Sequence, residues 1–94
     1  MTRGVCLDKA KEIVHGDREK SYGRPEDNFS RIAMLWTDYL GYPVSAVDVA
    51  MMMVLLKTAR IKSGTATEDS FVDIAGYAAC GVEIATEVAA YKCQ

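Results

Sequence analysis

The segment that most constrains the fold is residues 45–62, SAVDVAMMMVLLKTARIK, which contains the longest uninterrupted apolar run of the chain, residues 49–56. Its length and apolar character predict a helix, and a helix that is apolar all round is buried on most sides. The three adjacent methionines in it are predicted to be adaptable core. Asp48, Lys57 and Arg60 interrupt the stretch. Charges on a buried helix are either neutralised by partners or directed into a shared pocket.

The length and composition place the chain in the class of small globular domains. A length of 94 residues, half of them hydrophobic, predicts a single helical domain spanning 1–94. The net charge of −2 argues against binding to duplex nucleic acid. Three cysteines without a CxxC pair and one histidine argue against a disulfide framework or a zinc site. No apolar run approaches the roughly 20 residues that span a bilayer, and no signal-peptide pattern is present. We therefore expect a cytoplasmic protein without membrane contact, in the host cytoplasm if a phage encodes it.

Helix signals divide the chain into four segments, at about residues 4–15, 25–40, 45–62 and 68–91. Pro25 suits a first helical turn, Ser45 with Asp48 forms a capping box, and Thr67 is a good N-cap. No strand pattern appears, so short turns between these helices predict an all-α, antiparallel four-helix bundle.

The last helix carries two apolar strips. The larger is predicted to face the core and comprises Phe71, Ile74, Ala75, Ala78, Val82, Ala85 and Val88. The second comprises Tyr77, Ile84 and Tyr91. Since one small bundle does not cover both, the second strip predicts a homo-oligomer.

Opposite charges are predicted to meet where the third and fourth helices join. Lys57 and Arg60 share one helix face, as do Asp69 and Asp73, and Tyr77 extends the acidic line by one turn. A short connection places the end of one helix beside the start of the next. The cluster is either an ion-pair network that closes the bundle or a polar pocket, and the sequence leaves both open.

A second candidate site is the polar loop GDREKSYGR. Arg18, Lys20, Tyr22 and Arg24 alternate along it, so an extended loop would turn all four the same way. Such a set suits phosphate groups and a stacked base. Asn28 follows and could read a base or ribose. A solvated charged loop is the alternative, and no glycine-rich phosphate cradle is present.

The blocks HGDREKSYGRPEDNFSRIAMLW, DVAMMMVLLKTARI and EDSFVDIAGYA together resemble a family of small proteins from phages and prophages. More distantly, the arrangement resembles the all-α, MazG-like NTP pyrophosphohydrolases, and this resemblance implies a MazG-like bundle that handles nucleotides. In that group, ExxE and ExxD pairs on two helices hold magnesium on a nucleoside triphosphate. Asp73 matches the last acid of ExxD, but Ser70 stands at the preceding acidic position. Lys57 and Arg60 stand where the central helix would carry glutamates, a departure that disfavours magnesium without disfavouring nucleotide binding.

Three functions follow as hypotheses. The first is a non-catalytic nucleotide-binding protein, with which a phage sequesters a cyclic or modified nucleotide signal of host defence. It needs no cofactor, metal or catalytic residue, and its predicted ligand-binding residues are Arg18, Lys20, Tyr22, Arg24, Asn28, Trp36, Lys57, Arg60, Asp69, Asp73 and Tyr77. The second is a magnesium-dependent pyrophosphohydrolase with an altered metal site, whose acids would be Asp48, Asp69, Asp73 and Glu26 or Asp27. The third is a structural, oligomeric interaction module.

Overall fold

A computed structural model describes residues 1–16 and 23–92, with side chains described as far as residue 87. This part of the chain contains no strand, and its four helices are α1 (Arg3–His15), α2 (Pro25–Leu40), α3 (Ala46–Lys62) and α4 (Thr67–Lys92). The prediction of an all-α chain is confirmed, with helix bounds within about one residue of those expected. None of the described helices combines the length and the apolar character that crossing a membrane requires.

Local chemistry sets the helix ends at the α2–α3 corner. The Ser45 hydroxyl accepts from the Asp48 backbone N–H, and the Asp48 carboxylate accepts from the Ser45 N–H, both at 3.0 Å. This is the predicted capping box, and it explains Asp48 without any ligand. Gly41 ends α2 with a left-handed φ of 69°, which its missing Cβ permits. The Thr37 hydroxyl then hydrogen-bonds both the N–H and the carbonyl of Val44, at 2.9 and 3.3 Å. These bonds hold the start of α3 against α2.

The helices pack in a way that is consistent with a bundle, although unequally. The α3–α4 contact is the most extensive, α2 packs on α3 and less on α4, and among the helices α1 packs against α4 alone. Two glycines on α4 let residues of α3 and α1 approach this helix closely. A Cβ at Gly81 would lie 3.3 Å from the Ala50 Cβ, and one at Gly76 would lie 3.2 Å from Val14. The core cluster consists of Phe29, Ala33, Val49, Ala50, Cys80 and Ile84.

The predicted core face of α4 is wrong. Phe71 and Val82 are 53% and 65% exposed, whereas Ile84, assigned to the second strip, is 2% exposed. Gly76 and Gly81 let side chains of Val14 and Ala50 approach closely, so the face that carries these two glycines is the one that is buried. Because Tyr77 also packs against the core, the second strip is used within the chain. Tyr91 and Val88 lie outside the described side chains.

The prediction that α3 is buried on most sides is also wrong. Val49 and Ala50 are fully buried, yet Met51 and Met52 are 51% and 40% exposed. Met53 is the methionine that packs against the core. The start of α4 differs by one residue as well, because Ala66, with a φ of 50°, rather than Thr67, precedes the first helical turn.

Candidate functional site

A cavity of about 330 Å³ lies between the four helices. Its walls are mostly apolar, and each helix supplies part of them. The lining residues are Ile13, Val14, Gly23, Pro25, Asn28, Phe29, Ile32, Val49, Met53, Val72, Asp73, Gly76, Tyr77 and Cys80. A concave apolar space of this size with a few polar groups is typical of a small-molecule site.

The polar lining comes from the starts of two helices. Pro25 begins α2, so Asn28 falls in the first turn of that helix and reaches the cavity. Its side-chain amide has no hydrogen-bond partner among the described residues. Asp73 and Tyr77 come from one face of α4, four residues apart. The structure therefore brings together three of the predicted ligand-binding residues.

The Asp73 carboxylate is held by Lys57. The Lys57 Nζ lies 3.0 Å from Asp73 Oδ2, and the two side chains are 14% and 16% exposed. The predicted meeting of the α3 cations with the α4 acids is confirmed for this pair. Since Lys57 is not among the cavity's lining residues, it acts on the cavity through Asp73. The ion pair leaves the second carboxylate oxygen of Asp73 without a cation among the described residues.

Two aromatic rings form one wall. The ring centroids of Phe29 and Tyr77 lie 6.1 Å apart with an interplanar angle of 39°. Such a tilted pair is a stable packing arrangement, and it gives the cavity rigid, flat surfaces.

The remaining predicted residues lie elsewhere. Trp36 packs against the core on α2 and is not among the residues that line the cavity. Arg60 is exposed at the end of α3. Asp69 lines a separate depression together with Lys9 and Glu12. Asp73 also lines this depression. Arg18, Lys20 and Tyr22 lie outside the described residues.

Arg24 is engaged by carboxylates instead of standing free for phosphate. Its guanidinium pairs with Glu26 and, at 3.0 Å, with Glu87 on α4. These two acids, Glu26 foremost, raise the pKa of Arg24 above its ordinary value. Sequence reasoning missed this link, although Glu83 and Glu87 stand four apart on one face of α4, a spacing that marks a shared acidic face.

Glu26, Glu83 and Glu87 form an acidic cluster beside Arg24. Carboxylate oxygens of the three lie within 4.8 Å of one another. That spacing permits all three to reach a single cation. Arg24 already supplies a positive charge to two of them.

A family model described as a domain of unknown function, DUF6378, matches residues 5–85. The chain belongs to the DUF6378 family. The match covers most of α1 and of α4, and it contains every residue that lines the cavity.

Two phage proteins are similar to this DUF6378 chain. The Gene 55 protein of Mycobacterium phage D29 is 47% identical over 74 residues, which cover 79% of this chain and 49% of the relative. The Gene 55 protein of Mycobacterium phage L5 is 47% identical over 73 residues, covering 77% and 47%. The chain thus spans about half the length of these relatives. The predicted resemblance to a phage-borne family of small proteins is confirmed, whereas no solved structure matches.

Proposed function

We propose that this protein binds a nucleotide without converting it, and that a phage uses it to sequester a cyclic or modified nucleotide signal of host defence. The observation that carries the proposal is the cavity with its apolar walls and the polar groups of Asn28 and Asp73. We also retain, within this proposal, a bundle of the MazG-like kind and action in the cytoplasm of the host cell.

The cavity suits a nucleobase better than it suits a phosphate. Phe29 and Tyr77 offer flat apolar surface to a planar ring. The Asn28 amide offers a donor and an acceptor, and the Asp73 carboxylate offers acceptors, which is the chemistry that reads a base edge. Lys57, which does not line the cavity, holds the Asp73 carboxylate through their ion pair. Its proposed role is therefore to position Asp73 instead of contacting phosphate.

The phosphates would lie at the rim that Gly23 forms. Gly23 lines the cavity and follows directly after the segment with Arg18, Lys20 and Tyr22. Arginine and lysine supply the charge that phosphate groups need. Binding at this rim would leave Arg24 in its contacts with Glu26 and Glu87.

The acids expected for magnesium chemistry do not fit a metal site in this fold. Asp48 caps α3, Asp69 is exposed, and Asp73 is paired with Lys57. The Glu26 cluster is neutralised in part by Arg24. A cation next to these acids repels magnesium, so the donor set favours binding over pyrophosphohydrolysis.

The test is a binding panel on the purified full chain. Isothermal titration calorimetry and thermal shift would be measured with cyclic dinucleotides, NTPs, dNTPs and ADP-ribose, each with and without magnesium. A bound nucleotide at a concentration 100 times its Kd stabilises the fold by about 2.7 kcal/mol and raises the Tm accordingly. Mass spectrometry of small molecules that co-purify from infected cells would identify the natural ligand.

Asp73→Asn and Asp69→Asn are the matched pair of variants. They remove the same charge from α4 at positions four residues apart, one lining the cavity and one outside it. We expect Asp73→Asn to weaken ligand binding by about tenfold or more and Asp69→Asn to leave it unchanged. Equal effects of the two variants on binding would contradict the proposal, and so would a panel in which no nucleotide binds. The structural interaction module would then remain as the hypothesis. Magnesium-dependent pyrophosphate release would establish the hydrolase instead.

A further inference from the structure

The outer side of α3 carries an apolar stripe that the rest of the described chain leaves uncovered. Its axis is Asp48, Met52, Leu55, Ala59 and Lys62, all exposed, with Met51 and Leu56 beside it. The exposed fractions of Met51, Met52, Leu55 and Leu56 are 51%, 40%, 66% and 48%. We propose that a second copy of this chain covers this outer stripe, with the two α3 helices antiparallel across a two-fold axis at Leu55.

The spacing of the stripe fits a helix partner. Its positions alternate by four and three residues, the spacing that keeps one seam facing a neighbouring helix. From Asp48 to Lys62 the seam runs about 21 Å at 1.5 Å per residue. A helix of matching length is therefore the natural cover.

The charges select a second copy in the antiparallel direction. Asp48 and Lys62 each lie seven residues from Leu55, at opposite ends of the outer stripe. When two copies pair antiparallel about Leu55, each Asp48 faces Lys62 of the other copy. A parallel pair would instead place like charges together at both ends, which is destabilising.

The side-chain sizes agree with the same register. About Leu55, Met51 lies opposite Ala59 of the second copy, and Met52 lies opposite Thr58. Long flexible side chains thus meet short ones, which allows the two helices to interdigitate. The Thr58 hydroxyl already donates to the Val54 carbonyl at 2.9 Å, so its methyl group remains for the contact. A two-fold interface of this kind is self-complementary.

The first test is the mass of the full chain in solution without any ligand, by sedimentation velocity and light scattering from about 1 to 100 µM. We expect the mass to rise with concentration and to reach about twice the mass of one chain at 100 µM. Leu55→Asp places two carboxylates on the two-fold axis and should weaken association by about a hundredfold or more. Leu7→Asp is the matched control, because Leu7 on α1 is 63% exposed and Leu55 is 66% exposed. Circular dichroism would check that both variants keep their helices.

A charge exchange tests the register. Asp48→Lys and Lys62→Asp should each weaken association by about tenfold, and the double variant should restore it. A wild-type chain that stays at the mass of one chain at 100 µM overturns the proposal, as does a Leu7→Asp variant that dissociates like Leu55→Asp. A double variant no stronger than the singles overturns the antiparallel arrangement. Since no ligand enters these measurements, their failure is distinct from a failure of nucleotide binding.

Discussion

The two faces of α3 have nearly the same hydrophobicity and opposite surroundings. The inner face places Val49 and Ala50 at zero exposure against α4, and it ends in the Lys57–Asp73 ion pair. The outer face presents Met52 and Leu55 to solvent. The difference arises on the partner helix, where Gly81 admits Ala50 closely. The neighbouring helix therefore determines which face of α3 is buried, because the two faces have similar composition.

The largest difference in stability between the two faces is expected when an aspartate is placed on each of them in turn. Val49→Asp buries a carboxylate without a partner and should lower the free energy of unfolding by about 4 kcal/mol. Leu55→Asp, measured in urea at about 1 µM so that association is minor, should change it by less than about 0.5 kcal/mol. Equal losses at the two positions would mean that the outer face is buried within the single chain.

A smaller effect is expected at the charged end of the inner face. Lys57→Met leaves the Asp73 carboxylate largely buried without its cation, and should lower the free energy of unfolding by about 3 kcal/mol. Lys62→Met makes the same change on the outer face and serves as the control when it is measured at about 1 µM, where association is minor and an exposed charge contributes little.

The double variant Lys57→Met with Asp73→Asn completes a double-mutant cycle. Because it removes both charges, it should recover part of the stability that Lys57→Met loses. Additive losses in denaturant titrations would show that the two residues do not interact.

The smallest of the three effects tests the close approach of α3 and α4. Gly81→Val adds atoms where Ala50 already lies 3.3 Å from the position of a Cβ. We expect a loss of about 2 kcal/mol from overpacking, read from the denaturation midpoint. Gly4→Val is its control, since nothing lies within 4 Å of a Cβ at Gly4 on α1. A stabilised Gly81→Val variant would argue against tight α3–α4 packing.

Much of the fold could be predicted because its signals are local. Pro25, Gly41 and the Ser45–Asp48 capping box mark helix ends through their own backbone chemistry. The buried face of α4 could not be predicted from hydrophobicity, because Gly76 and Gly81 mark it by the absence of side chains. Burial there depends on neighbours that are distant in sequence.

The candidate site was predictable to the same extent. Asp73 and Tyr77 share a helix face, and a short turn brings Lys57 to Asp73, so their meeting follows from spacing. The pairing of Arg24 with Glu87 joins residues 63 positions apart. No local sequence pattern predicts such a contact, because it depends on how α2 lies against α4.

The attachment of α1 has a consequence for access to the cavity. Among the helices α1 packs against α4 alone, yet Ile13 and Val14 close one side of the cavity. Undocking α1 therefore opens the cavity while the α2–α3–α4 packing stays in place. Such a local opening requires less free energy than global unfolding, so exchange with solvent inside the cavity depends on the α1–α4 contact and not on the stability of the whole core.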